Sequence, residues 1–328
     1  MVKQTVLHIL ASDEPGGDAQ QVALLAERLT DWHVVTRALP KRWQPNGLTR
    51  WQVWRWIREI QPQVVHFWSE ACFTGGIPAA QHAGVRVVAT LRHVDPWRRP
   101  NLKTLKALSH VFVNQPGLQK HYGHDWPILP DGVPEYTPRA SREALGLPAD
   151  ALLVACVGPL RTWKRWKWAI WSIDSIVRLY PNAHLLFIGD GDSENLLFPP
   201  RTKLEIFARQ YERSDIVHFL GNRPDVREIL PHCALFWSPQ SVPGAGLAML
   251  EAMAAGVPVV TTEAVWLPEN LAEHVPVSRE TLGIAAASHR LLTNPERTAE
   301  ITRSARQWIA EYHSAEKMVQ AYAEVYAR

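Results

Sequence analysis
The sequence predicts an α/β protein built from two doubly wound domains, and three observations carry that prediction. Short β-branched runs alternate with helix-period segments along the whole chain, which is the signature of parallel strands joined by helical crossovers. Those runs are continuously apolar rather than alternating with polar residues, as strands covered on both faces require. At 328 residues the chain exceeds what one core supports, so two domains of roughly 150 residues each are expected.

Bulk composition narrows the function classes. An apolar fraction of 46% with 20% charged residues is that of a globular protein, and a net charge of +3 gives no reason to expect a nucleic-acid partner. Cys72, Cys156 and Cys233 lie far apart in apolar stretches and read as buried free thiols, which favours a reducing, cytoplasmic setting. No metal-ligand spacing is present. The unusual feature is a tryptophan count of 15.

The chain opens on TVLHILAS, too short to span a bilayer and lacking a small-residue cleavage site, hence a first strand. Pro15, Gly16 and Gly17 follow, then an amphipathic helix with Val22, Leu25, Ala26 and Leu29 on one side. Glycines at a helix N-terminus let a ligand approach free N–H groups, although a plain strand-to-helix turn uses the same residues. HVVTRAL is the second strand. KRWQPNGLTRWQVWRWIREI reads as a helix with Val53, Trp56, Ile57 and Ile60 toward the core and Trp51, Arg55 and Arg58 on the opposite face. That outer face suits a lipid headgroup layer, a carbohydrate or simply solvent. QVVHFW, VRVVATL and HVFVNQ complete the first set of strands. Arg92, Arg98, Arg99, Lys103 and Lys106 form a second basic group, from which an anionic or phosphorylated ligand follows as a hypothesis.

Turn formers cluster in LPDGVPEYTPRASREALGLPAD, so the domains are expected to span 1–140 and 141–313. The second begins with LLVACVG and continues through HLLFIGDG, IVHFLG, ALFWSP and VPVVTT. In VACVGPLRTWKRWKWAI, Gly158 ends a buried strand and Arg161, Lys164, Arg165 and Lys167 surround the next helix start. Cations there oppose the helix dipole, an arrangement that an anionic ligand such as a diphosphate relieves, as does a solvated basic turn. Trp163, Trp166 and Trp168 divide between packing under the helix and lining a wall on which a base or sugar stacks. In SPQSVPGAGLAMLEAMAAGVPVVTT, a strand end leads to Gly244 and Gly246, a helix starting near Leu247 and carrying Glu251, then Gly256 and another buried strand. Loop N–H groups at such a helix start take a phosphate or sugar, and a carboxylate in its first turns can accept both ribose hydroxyls. The last helix, with Met318, Val319, Tyr322, Val325 and Tyr326 on one face, is expected to pack back on the first domain.

The long run Gly244, Gly246, Leu247, Leu250-Glu251-Ala252-Met253-Ala254, Gly256 and Pro258-Val259-Val260 resembles the glycosyltransferases of family 4 type (glycosyl transferases group 1). Gly16 and Gly17, QVVHFW, LPDGVP, IGDG and VHFLG extend that resemblance over nearly the whole chain. It implies the GT-B fold, two Rossmann-like domains facing a cleft, with the N-terminal domain taking the acceptor and the C-terminal domain the donor. It further implies donor contacts from Gly16, Gly17, Lys164, Gly244, Gly246 and Leu247, a ribose role for Glu251, a cleft position for Glu269, and a place for His93 near the transferred sugar, with His66 and Asp95 as neighbouring candidates.

The sequence departs from the family around the donor. Pro243 stands where the first glutamate of the family pair is expected, and Pro159 where an arginine is, leaving Arg161 as a replacement two residues along. Asp131 replaces an asparagine, and Val265-Trp266 a pair of glycines. The expected activity is retaining transfer of a sugar from a nucleotide diphosphate donor, a co-substrate in place of any cofactor, to a glycan, lipid-linked or small-molecule acceptor, with peripheral membrane contact left open. The competing expectation is a catalytically degenerate protein that binds a nucleotide sugar or glycan without turnover. An epimerase on the same fold is a third.

Overall fold
Five parallel strands form the first sheet of the computed structural model: β1 (Gln4–Leu10), β2 (Trp32–Ala38), β3 (Val64–Phe67), β4 (Arg86–Leu91) and β5 (Val111–Val113), in the order β2-β1-β3-β4-β5. The structure describes residues 3–12, 16–40, 46–68, 70–92, 94, 102–106, 108, 110–135, 146–191, 200–241, 246–263, 265, 267, 277–278 and 281–328. The chain divides into two compact units, Met1–Gly132 with His313–Arg328, and Val133–Tyr312. The chain thus passes from one unit to the other at 132/133, whereas the boundary read from the sequence, 140/141, lies outside the described residues.

In unit 1 the crossovers are α1 (Gly17–Arg28), α2 (Asn46–Ile60), α3 (Glu70–His82), α4 (Leu102–Lys106) and α5 (Pro116–Tyr122). The double winding is visible in β1, where alternate side chains serve different cores. Leu7 and Ile9 pack with Val53, Trp56 and Ile57 of α2 and Ile77 of α3. Val6 and Leu10 pack with Val22 and Leu25 of α1.

The C-terminal helix, Ala315–Ala327, adds Met318, Tyr322, Val325 and Tyr326 to that second core. Its contact with the sheet is partly polar. Fully buried His66 of β3 is 2.6 Å from the Tyr326 hydroxyl through Nδ1 and 2.8 Å from the Thr90 hydroxyl through Nε2. Trp68 donates its indole N–H to Nδ1 of His8 at 2.6 Å and stacks on His66. Burial pushes His8 down to about 3, and burial, then the neighbouring His8, lowers His66. Both rings are therefore neutral core groups, and His66, a neighbouring candidate under the family resemblance, has both ring nitrogens engaged within unit 1.

The second sheet has six parallel strands in the order β11-β10-β9-β6-β7-β8. They are β6 (Leu152–Val157), β7 (Ala183–Ile188), β8 (Val217–Gly221), β9 (Leu235–Ser238), β10 (Val259–Thr262) and β11 (Val277–Ser278). The two-residue β11 was not read from the sequence; it pairs through Thr261 and Thr262 of β10. One face carries α6 (Trp166–Val177), α7 (Pro200–Gln210) and α10 (Thr281–Thr293), and the other α8 (Val226–Ile229), α9 (Leu247–Ala255) and α11 (Pro295–Tyr312). Val154 and Cys156 of β6 face the first set while Leu153 and Ala155 face the second. The C-terminal helix of unit 1 is α12.

Among the described residues no helix is long and apolar enough to cross a membrane. Because the Tyr326 hydroxyl satisfies a buried imidazole nitrogen, Tyr326→Phe is expected to cost unit 1 about 1–3 kcal/mol of unfolding free energy, measured by urea denaturation. An unchanged midpoint would show that His66 does not depend on that partner.

Candidate functional site
In a doubly wound sheet, ligands bind at the carboxyl ends of strands where the strand order reverses. In unit 2 that point lies between β6, the first strand of the unit, and β9, its neighbour on the other side. The segments leaving those two strands build the candidate site.

β6 is followed by Gly158 and β7 by Gly189, with φ of +138° and +130°. L side chains rarely adopt this backbone region, and a methyl group on Gly189 would overlap the Gly158 carbonyl. Both strand ends are therefore bare backbone. From Gly158 the chain runs through Pro159, whose carbonyl accepts from the Trp166 indole N–H at 2.9 Å, into a single 3-10 turn, Thr162–Lys164. Arg165 takes a left-handed conformation, φ 54°, to turn the chain into α6.

That turn folds Lys164 inward, and the residue is only 8% exposed. A methyl group on Gly158 would stand 3.5 Å from Nζ, and one on Gly246 3.6 Å from it. The amine thus lies between the glycine ending β6 and the glycine that caps α9. It donates to Gln240 Oε1 at 3.0 Å and lies 4.9 Å from the Trp163 ring centroid. Ser241, next to Gln240, donates its N–H and its hydroxyl to the Trp163 carbonyl at 2.8 and 3.0 Å, so the two loops brace one another. Among the described residues no carboxylate pairs with Lys164. Burial pushes the amine down to about 8.

Gly246 caps α9 without any side-chain acceptor, and Leu247 opens the helix, buried. The first N–H groups of α9 and the Lys164 amine are what an anion requires: oriented backbone donors, a positive dipole end and a cation in a water-poor site. Glu251 lies one turn along α9, buried, its Oε1 accepting from Arg227 Nε at 2.8 Å. Burial raises the carboxyl and the guanidinium opposes that shift.

The other expected residues are placed as follows. Arg161 is an exposed residue at the start of the 3-10 turn. Trp166 is buried beneath α6, whereas Trp168 is half-buried under the Arg165 guanidinium at 4.3 Å. Gly16 and Gly17 belong to unit 1, where Gly16 caps α1 in an extended conformation. Beside them Asp18 and Asp131 both pair with buried Arg92, which donates from Nε to Asp131 Oδ1 at 2.8 Å. Burial by itself would lower Arg92, but the two carboxylates override it and hold the guanidinium above its ordinary range. His93, Asp95, Arg98, Arg99, Pro243, Gly244, Trp266 and Glu269 lie outside the described residues. No group of three or more His, Cys, Asp or Glu suited to a metal ion occurs among the described residues.

Sequence reasoning missed Gln240 and Arg227. Neither belongs to a motif; each is found only once the adjacency of β6 and β9, or of α8 and α9, is known.

Residues 5–132 match the family model described as Glycosyltransferase Family 4, and residues 151–309 the one described as Glycosyl transferases group 1. N-acetyl-alpha-D-glucosaminyl L-malate synthase of Bacillus anthracis is 29% identical over 149 residues, 44% of this chain and 37% of the relative. Lipopolysaccharide glucosyltransferase WaaG of Escherichia coli strain K12 is 26% identical over 213 residues, 60% of this chain and 55% of the relative. The chain thus spans between 37% and 55% of the length of these relatives. The crystal structure of Anabaena Alr3699/HepE in complex with UDP and glucose aligns at a TM-score of 0.82 and 18% identity over 99% of each chain, a likeness of fold.

Burial of an amine whose hydrogen-bond acceptor is an uncharged amide oxygen makes a stability prediction. The unfolded lysine titrates at 10.5 and the folded one at about 8, so between those values the unfolded state holds more protons and stability rises with pH. Lys164→Met is expected to raise unfolding free energy at neutral pH by about 1–3 kcal/mol and to abolish that rise. A less stable variant that keeps the pH dependence would contradict this.

Proposed function
The chain belongs to the glycosyltransferases of family 4 type with the GT-B fold, and we propose that it moves a sugar from a nucleotide diphosphate donor to an acceptor hydroxyl with retention at the anomeric carbon. The observation that carries this reading is the buried, carboxylate-free Lys164 amine between Gly158 and Gly246. The UDP complex of the structural neighbour and the glucosyltransferase name of WaaG support a nucleotide-sugar donor.

In the proposed reaction the bond between the anomeric carbon and the diphosphate oxygen breaks, and the acceptor oxygen bonds to that carbon on the same face. The acceptor proton goes to the departing diphosphate. Negative charge grows on the leaving phosphate, so a cation and helix N–H groups already in place stabilise the transition state more than the ground state. Lys164 and the start of α9 at Gly246 and Leu247 take the diphosphate, with Gly244 and Arg161 as further donor contacts. Glu251 accepts from the ribose hydroxyls, its orientation fixed by Arg227. For unit 1, considered by itself, the family resemblance assigns donor contact to Gly16 and Gly17 and a catalytic role to His93.

A second reading is favoured by Pro243, which removes the carboxylate that family members place toward the transferred sugar. In that reading the protein binds a nucleotide sugar without transferring it.

The test is a panel of nucleotide sugars followed by thermal stabilisation and by release of nucleoside diphosphate. Stabilisation with release is expected, with Lys164→Met weakening donor binding by about a hundredfold and Glu251→Ala by about tenfold or more. Donor affinity is expected to fall as pH rises above about 8, where the free amine loses its proton. Stabilisation without release, with Pro243→Glu equally silent, would favour the binding reading; turnover gained in Pro243→Glu would mark a crippled catalyst instead. Absence of both signals in a folded sample would overturn the donor site.

A further inference from the structure
The outer face of α2 carries groups that the packing of unit 1 does not use. The inner face is committed: Val53, Trp56 and Ile57 are buried, and a methyl group on Gly75 of α3 would stand 2.8 Å from Thr49 Cβ and 2.9 Å from the Asn46 carbonyl oxygen. The two helices are therefore in close backbone contact and form a fixed platform. On the other side Trp51 is 53% and Leu48 47% exposed, and Arg50, Arg55 and Arg58 are exposed. The Arg55 guanidinium lies 5.3 Å from the Trp51 ring centroid and that of Arg58 5.0 Å from the Trp54 centroid. A hollow of about 300 Å³ beside them is lined by Gly47, Arg50, Trp51, Trp54, Ala79 and His82.

None of the three arginines pairs with a carboxylate among the described residues. The acidic content of α2 is a single residue, Glu59 in its last turn. This is an uncompensated cationic stripe interleaved with exposed indole and leucine side chains.

We propose that this face of α2 docks the protein on an anionic phospholipid surface, with Trp51 and Leu48 at the headgroup boundary and Arg50, Arg55 and Arg58 on lipid phosphates. Spacing decides for a surface over a single small anion. Arg50 and Arg58 are about 12 Å apart along the helix at 1.5 Å per residue, more than one phosphate or one sugar ring can bridge, whereas a bilayer presents phosphates in an array. A small-anion pocket converges and buries its cations; these three are spread out and remain in water. Tryptophan and leucine, costly in water, gain by entering the interfacial layer while guanidinium groups stay at headgroup level. The contact is peripheral and does not depend on the transfer reaction.

The test is co-sedimentation of the whole chain with vesicles of phosphatidylcholine mixed with phosphatidylglycerol, against vesicles of phosphatidylcholine alone. Binding to the anionic vesicles alone, weakening with added salt, is expected. Replacing Arg50, Arg55 and Arg58 together by Gln should weaken it about a hundredfold, at about 1 kcal/mol per cation near such a surface, with the melting temperature unchanged. Trp51→Ala should weaken binding to anionic vesicles as well. No binding to anionic vesicles, equal binding to neutral ones, or undiminished binding by the triple variant would each overturn the proposal. So would arginine-dependent capture by soluble dextran sulfate without any vesicle binding, which would mark a polyanion site instead.

Discussion

A buried ammonium group without a carboxylate partner among the described residues is the constraint around which unit 2 is arranged. Desolvating a charge costs several kcal/mol unless an opposite charge or several acceptors replace the lost water, and Lys164 has one amide oxygen from Gln240 and two indole faces. The left-handed Arg165 turns the chain so that the amine points inward, and the glycines Gly158 and Gly246 leave the space around it free of side chains. Folding alone gives no reason for such an arrangement; methionine would fill the space at lower cost. Under the proposed function the cost is offset when a ligand supplies the negative charge, an exchange of stability for function.

Unit 1 shows the opposite solution. Its buried cation, Arg92, is held by Asp131 and Asp18, with Asn114 donating to Asp131 at 2.9 Å. The same Asp131 receives the His313 ring on its carbonyl at 2.9 Å, and Gln21 bonds both the N–H and the carbonyl of Gly132. Both points where the chain leaves and re-enters unit 1 are thus fastened to it. Asp131, an apparent departure from the asparagine of the family, has its explanation here: a carboxylate suits a neighbouring buried guanidinium better than an amide does. Arg92 thus has carboxylate partners inside the fold, whereas Lys164 has an amide oxygen and no carboxylate among the described residues.

Alternation of apolar runs and helical segments was enough to read ten of the eleven strands among the described residues, because parallel strands covered on both faces leave a strong imprint on sequence. The strand missed, Val277–Ser278, is two residues long and pairs at one edge, where no run can form. Lys164 was legible because cations at a helix start need a reason, and Glu251 through a motif. The partners were not legible. Gln240 meets Lys164 only because β9 lies beside β6 although they are separated in sequence by two other strands, and Arg227 meets Glu251 only through packing of α8 on α9. The partners of His66 were hidden for the same reason: nothing in QVVHFW announces that α12, at the far end of the chain, covers that strand and supplies the tyrosine hydroxyl.

The central claim, that the Lys164 amine is a phosphate ligand, is tested most directly by the protons taken up on binding. At about pH 8 the free amine is half protonated, while a bound diphosphate holds it fully charged. Calorimetry of nucleoside diphosphate binding in buffers of different ionisation enthalpy should therefore give an uptake of about half a proton per ligand, absent in Lys164→Met. Tight binding with no proton uptake at that pH, or with the same uptake in the variant, would contradict the account.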